Sequence, residues 1–163
     1  MKNDVNTLER KRGGDILAEK RTADWTAQDV GGVLKLINLA SGGLAGRIRL
    51  QKLIFIAKKE KDISYPFSFE FIRYHFGPYS KSLQDLLAKL VSFGLVQEHL
   101  IKTSNDRDMY LYRLTSNGKE LLNRYDMDSG LAHQLMAINK LWLRYRSYNQ
   151  DTLVLRAKEL FGW

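Results

Sequence analysis

Residues 75–94 read HFGPYSKSLQDLLAKLVSFG, and the fold turns on this stretch. Gly77-Pro78 interrupts the chain, and Ser80 is placed to cap a helix by accepting from free N–H groups of its first turn. Leu83, Leu86, Leu87, Leu90 and Val91 then repeat at the spacing of one helical face, and Gly94 is a natural terminator. The pattern predicts an amphipathic helix from Ser80 to Phe93 with Lys81, Gln84, Asp85, Ala88, Lys89 and Ser92 turned outward. Pro78 fixes its own φ and restricts Gly77, so the turn sets the angle at which this helix leaves.

Downstream, Leu95 to Thr103 and Met109 to Thr115 are strand-like runs around the polar tip Ser104-Asn105-Asp106-Arg107-Asp108, which predicts a β-hairpin. Thr115-Ser116-Asn117-Gly118 opens a short capped helix. Leu131, Leu135, Ile138, Trp142 and Tyr145 line one side of a long helix, and Asn149 caps a last one of residues 150–161.

Upstream, Thr26 and Asp29 form a capping box for a helix over residues 27–40, whose apolar face is Val30, Val33, Leu34 and Ile37. Ser41-Gly42-Gly43 ends it. Leu50, Leu53, Ile54 and Ala57 predict a second helix from Arg47 to Glu60, basic on its outer side. From Tyr65 to Phe71 aromatics alternate with small or polar residues, the period of a half-buried strand; such a row could stack on bases but more often belongs to the core. The parity changes after Phe71, marking a bulge or a passage from strand to loop. The first two dozen residues are polar and read as an arm or a frayed helix.

A chain of 163 residues with 44% hydrophobic residues suits one folded domain. The longest apolar run, Leu53 to Ala57, is too short to cross a bilayer, and the opening MKNDVNTLERKRGGD is no signal peptide. A soluble, cytoplasmic protein with no membrane partner is expected. The absence of cysteine removes disulfides, thiolate zinc sites and thiol nucleophiles. His75, His99 and His133 lack metal-ligand spacing, and Glu70, Asp85 and Glu98 fall on three different elements. No metal, no cofactor and no enzymatic activity are expected.

The net charge of +8 favours polyanionic partners. Much of the excess lies in one segment, where Arg47, Arg49, Lys52, Lys58, Lys59 and Lys61 face a single acid, Glu60. Such a run serves equally as a solvated helix face.

The order helix, helix, strand, turn, helix, hairpin, helix is close to that of a winged helix-turn-helix. The run GLVQEHLIKTSNDRDMYLYRLTSNGKELL resembles the wing region of MarR-like and PadR-like regulators. RLQKLIFIA, followed by FGPYS and its leucine-spaced helix, resembles the YwgA-like and phage-associated winged-helix proteins, and the first of these blocks is also similar to the Panacea-type antitoxins. Together the similarities cover a little under half the chain. MarR-type folds carry a separate positioning helix before the recognition helix, and here the aromatic segment and the GPYS turn stand in its place.

The resemblance implies an α+β, mainly helical winged helix-turn-helix domain with a β-hairpin wing and additional C-terminal helices. Its parts are a polar arm at 1–25, the winged helix at 26–125 and C-terminal helices at 126–163 that pack on the core or mediate dimerisation. The implied function is binding of double-stranded DNA as a transcriptional regulator. The alternative is a protein-interaction module, such as the antitoxin-like partner of a toxin.

On the DNA reading, the helix N-terminus at Tyr79, Ser80, Lys81 and Ser82 suits a phosphate, Gln84 and Lys89 reach base edges, and Lys102 and Arg107 on the wing reach backbone or minor groove. Arg47 and Arg49 supply further phosphate contacts or belong to a protein interface. Asp85 opposes phosphate in the middle of the outward stripe, and the helix carries no arginine for guanine. Leu131, Leu135, Ile138, Trp142 and Tyr145 are the expected homodimer surface.

Overall fold

A computed structural model describes residues 25–163; the polar arm lies outside them except for Trp25. The elements in order are α1 (Ala27–Leu39), β1 (Leu44–Ala45), α2 (Arg47–Lys59), β2 (Ile72–Tyr74), β3 (Gly77–Tyr79), α3 (Lys81–Ser92), β4 (Val96–Lys102), β5 (Asp108–Leu114), α4 (Ser116–Met127), α5 (Ser129–Tyr145) and α6 (Gln150–Phe161). The fold is α+β and mainly helical, with a β-hairpin and additional C-terminal helices, as expected.

Local signals place the helices. Thr26 and Asp29 complete the reciprocal capping box of α1, while Ser80, Thr115 and Asn149 each accept from the backbone three residues on at the starts of α3, α4 and α6. The hairpin β4–β5 pairs Val96 with Leu114 through to Lys102 with Asp108. Its tip is held by Thr103, whose hydroxyl accepts from the Arg107 N–H at 3.1 Å. A short strand absent from the sequence reading, β1, pairs with β5 and completes a sheet of order β1-β5-β4.

The aromatic segment keeps its expected alternation but is no strand. Ile63, Tyr65, Phe67 and Phe69 are buried while the residues between them are exposed, and the segment pairs with no strand among the described residues. Neighbouring groups satisfy its backbone instead: Tyr65 N–H donates to Ala57 O at 2.8 Å, Ser68 N–H donates to the Asp29 carboxylate at 2.8 Å, and Lys58 Nζ donates to Phe69 O. The parity change after Phe71 marks the start of a separate hairpin, β2–β3, in which Arg73 faces Pro78. Gly77 holds φ +100° there, a conformation that side-chain-bearing residues rarely adopt.

One core runs through every helix. The apolar faces of α1 and α2 meet Leu83, Leu86, Leu87 and Leu90 of α3, Tyr112 of β5, Leu122 of α4, Leu131, Leu135, Ile138 and Leu141 of α5, and Leu153 and Ala157 of α6. This corrects the dimerisation reading: Leu131, Leu135, Ile138 and Tyr145 are buried within the monomer and Trp142 is half-buried against the same core. A helix has one wide apolar face, and here α1 covers it. No helix among the described residues is long and apolar enough to cross a membrane.

Candidate nucleic-acid interface

Helix α3 buries only its leucine face. Lys81, Ala88 and Ser92 are exposed, and Ser82, Gln84, Asp85 and Lys89 are half-buried. Two residues of α2 fix its start: Gln51 exchanges hydrogen bonds with both backbone groups of Ser80, and Lys52 Nζ donates to Pro78 O at 2.9 Å. Lys52 is therefore buried, not on the outer basic face of α2 where the sequence puts it.

The chemistry at this N-terminus is partly committed. The Ser80 hydroxyl accepts from Leu83 N–H, and Ser82 accepts the Trp25 indole N–H on its hydroxyl at 3.0 Å and on its carbonyl at 3.2 Å. Trp25, grouped with the arm by sequence, thus packs onto the helix. Lys81 pairs with Asp85 at 2.6 Å one turn on, and this hydrogen bond raises its pKa. The acid that opposes phosphate on this face is thereby neutralised by the cation meant to attract it. Lys89 Nζ lies 5.9 Å from the Phe93 ring centroid, and the Tyr79 ring stands 4.9 Å from that of Tyr74.

At the tip of β4–β5, Lys102 pairs with Asp108 at 2.9 Å, and Arg107 is exposed. The structure thus brings Tyr79, Lys81, Ser82, Gln84 and Lys89 together along α3, and Lys102 and Arg107 together at the hairpin tip, while Ser80, expected to meet a phosphate, is fully buried as the cap of α3.

Arg47 and Arg49 have contacts of their own, those of Arg47 on the β4–β5 hairpin. Arg47 Nε donates to Tyr112 Oη at 3.1 Å, its guanidinium lies 4.1 Å over the Tyr110 ring, and it reaches Glu98 at 3.5 Å. The Tyr112 hydrogen bond, working against burial, raises its pKa. Arg49 donates to Tyr148 O at 2.6 Å and Arg146 O at 3.0 Å, tying α2 to the turn between α5 and α6, and burial lowers its pKa. Both arginines serve the fold, in contacts between residues dozens of positions apart that spacing along a helix does not encode.

Sequence reasoning missed the exposed aromatics of β2–β3, although the parity change at Phe71 was their signal. Among the described residues no group of three or more histidines or carboxylates is arranged to hold a metal ion.

No known family model matches this chain. It is similar to the uncharacterized protein YwgA of Bacillus subtilis (strain 168), with 34% identity over 88 residues that make up 54% of this chain and 51% of that protein. The chain spans about half the length of this curated relative, and the likeness supports a YwgA-like relationship.

Proposed function

We propose that this chain is a winged-helix protein that binds double-stranded DNA and regulates transcription, with α3 entering the major groove and β4–β5 acting as the wing. The observation that carries this reading is the one-sided burial of α3, followed directly by a long hairpin whose solvent-facing tip carries Lys102 and Arg107 among Asp106 and Asp108. The sheet order β1-β5-β4 and the helices α1, α2 and α3 around it support the same arrangement. In this reading Lys81 leaves Asp85 for a phosphate, Gln84 and Lys89 face the bases, and Lys102 and Arg107 contact backbone; Arg47 and Arg49 hold the scaffold.

Titration of labelled duplex DNA against salt tests it. Affinity should fall steeply with salt, and Lys81→Glu and Arg107→Glu should each weaken binding across sequences. Salt-independent binding, or no change in either variant, refutes the reading.

A second reading, a protein-interaction module of antitoxin-like type, draws on exposed Met136 and Leu143, which lie seven residues apart on the outer side of α5. A homodimer or a protein partner would use these residues rather than the buried stripe beneath them. Co-purification of a partner that Met136→Lys/Leu143→Lys abolishes would favour it.

A further inference from the structure

The β2–β3 hairpin carries its large apolar side chains outward: Ile72, Tyr74 and Phe76 are 59%, 49% and 57% exposed. Three such groups on one short hairpin mark a surface that something covers. Two cations lie beside them, Arg73 alternating to the opposite face of β2 from Ile72 and Tyr74. Arg73 stands between Ile72 and Tyr74 with its guanidinium 4.2 Å over the Trp163 ring, and Lys158 Nζ is 4.9 Å from the same ring centroid. Among the described residues neither Arg73 nor Lys158 forms an ion pair with a carboxylate.

The hairpin is also held in place. Lys52 anchors Pro78 O and Gln51 anchors Ser80, so β3 is fastened to α2, while Gly77 packs against the stems of Lys52 and Lys158. The rings are thus presented from a fastened hairpin, and ordering them on binding costs little.

An apolar protein surface would cover the rings but would leave two unneutralised cations at the margin of the contact, at a desolvation cost. A strand of unpaired nucleotides answers both features, since every base has a face to stack on an aromatic ring and every linkage carries a phosphate. We propose that the β2–β3 hairpin binds unpaired nucleotides, with Tyr74 and Phe76 stacking on bases and Arg73 and Lys158 contacting the adjoining phosphates. This goes beyond duplex binding and does not depend on it, because the residues are neither those of α3 nor those of the β4–β5 tip.

The test uses the full chain with fluorescein-labelled oligothymidylate and, separately, a duplex of equal length. Tyr74→Ala/Phe76→Ala should weaken oligothymidylate binding on the order of ten-fold or more and leave duplex affinity unchanged, while Tyr74→Trp/Phe76→Trp restores it. Arg73→Gln/Lys158→Gln should reduce the slope of log affinity against log salt by roughly 1.4, the value for two phosphate contacts on a single strand.

The proposal is overturned if the wild-type chain does not bind oligothymidylate, or if the alanine pair binds it as tightly as wild type. It is also overturned if the alanine pair abolishes only self-association seen by light scattering. Loss of duplex binding in Lys81→Glu or Arg107→Glu with oligothymidylate binding retained separates the two sites. Should the alanine pair fail to fold by circular dichroism, the salt slope of the Arg73 and Lys158 variant decides.

Discussion

Gln51 grips Ser80 by both of its backbone groups: Ser80 N–H donates to Gln51 Oε1 at 2.9 Å, and Gln51 Nε2 donates to Ser80 O at 2.9 Å. A buried side chain of α2 thus holds the residue that caps α3. The entry of the outward-facing helix is therefore set by α2 as much as by the Gly-Pro turn before it. Gln51→Leu leaves the buried Ser80 N–H without a partner, while the Ser80 carbonyl keeps the Gln84 N–H at 3.2 Å, and should cost about 1–3 kcal/mol, read as a lower urea midpoint with an unchanged m-value.

Lys52 gives the fold an alkaline signature. The side chain is 2% exposed, and burial first, then the nearby Lys158, lower its pKa to about 8. A lysine whose folded pKa is depressed is protonated more readily in the unfolded chain, so stability rises as pH climbs from about 8 towards the unfolded value near 10.4. Below pH 8 the cost of the buried charge is fully present. Lys52→Met should abolish this rise, measured as urea midpoints across that range, and a wild-type stability that falls steadily over the same range would contradict the assignment.

Glu60 closes the opposite end of α2. Its carboxylate accepts from the Tyr145 hydroxyl and the Arg144 guanidinium and from Arg156 at 3.1 Å, while Arg144 also forks onto Asp62 at 2.9 and 2.7 Å. Burial pushes the Glu60 pKa up, but the Tyr145, Arg144 and Arg156 hydrogen bonds outweigh it and hold it below the usual range. Arg144 also holds the Asp62 pKa well below the usual range. A depressed carboxylate contributes stability above its unfolded pKa, about 4.3, and loses it as pH falls through the folded value. Glu60→Gln should lower stability by about 2 kcal/mol at neutral pH, with the gap from wild type closing in acid.

Gly118 inverts the ordinary helix rule. An alanine in place of a helical glycine normally gains about 1 kcal/mol, but a Cβ here would stand 2.0 Å from the Leu95 carbonyl oxygen. That carbonyl already accepts from Thr115 N–H at 3.1 Å, so it is held where the clash occurs. Gly118→Ala should destabilise by about 2 kcal/mol or more, seen as a lower Tm. A rise in Tm would show that the start of α4 yields.

Most element boundaries were legible because their causes are local. The caps at Thr26, Ser80, Thr115 and Asn149 act within one turn, and the periodic leucines of α3 report the side the helix buries. The segment from Tyr65 to Phe69 shows the limit of the same signal, since two-residue alternation reports which side chains are inside and says nothing of whether a second strand lies alongside. The candidate interface was legible as a helix and a hairpin, while Arg47, Arg49 and Lys52 were legible only as charges.

The amino-acid order by itself determined the helices, their caps, the β4–β5 hairpin and the net positive charge, because each is a sum over near neighbours or over the whole composition. Tertiary structure alone decided that Lys52 is buried beneath Pro78, that Arg47 and Arg49 brace the scaffold, that the Leu131 to Tyr145 stripe faces inward, and that Tyr74 and Phe76 face water. A side chain's surroundings come from elements far away in the chain, and the free energy of burying or exposing it is fixed only when those elements meet.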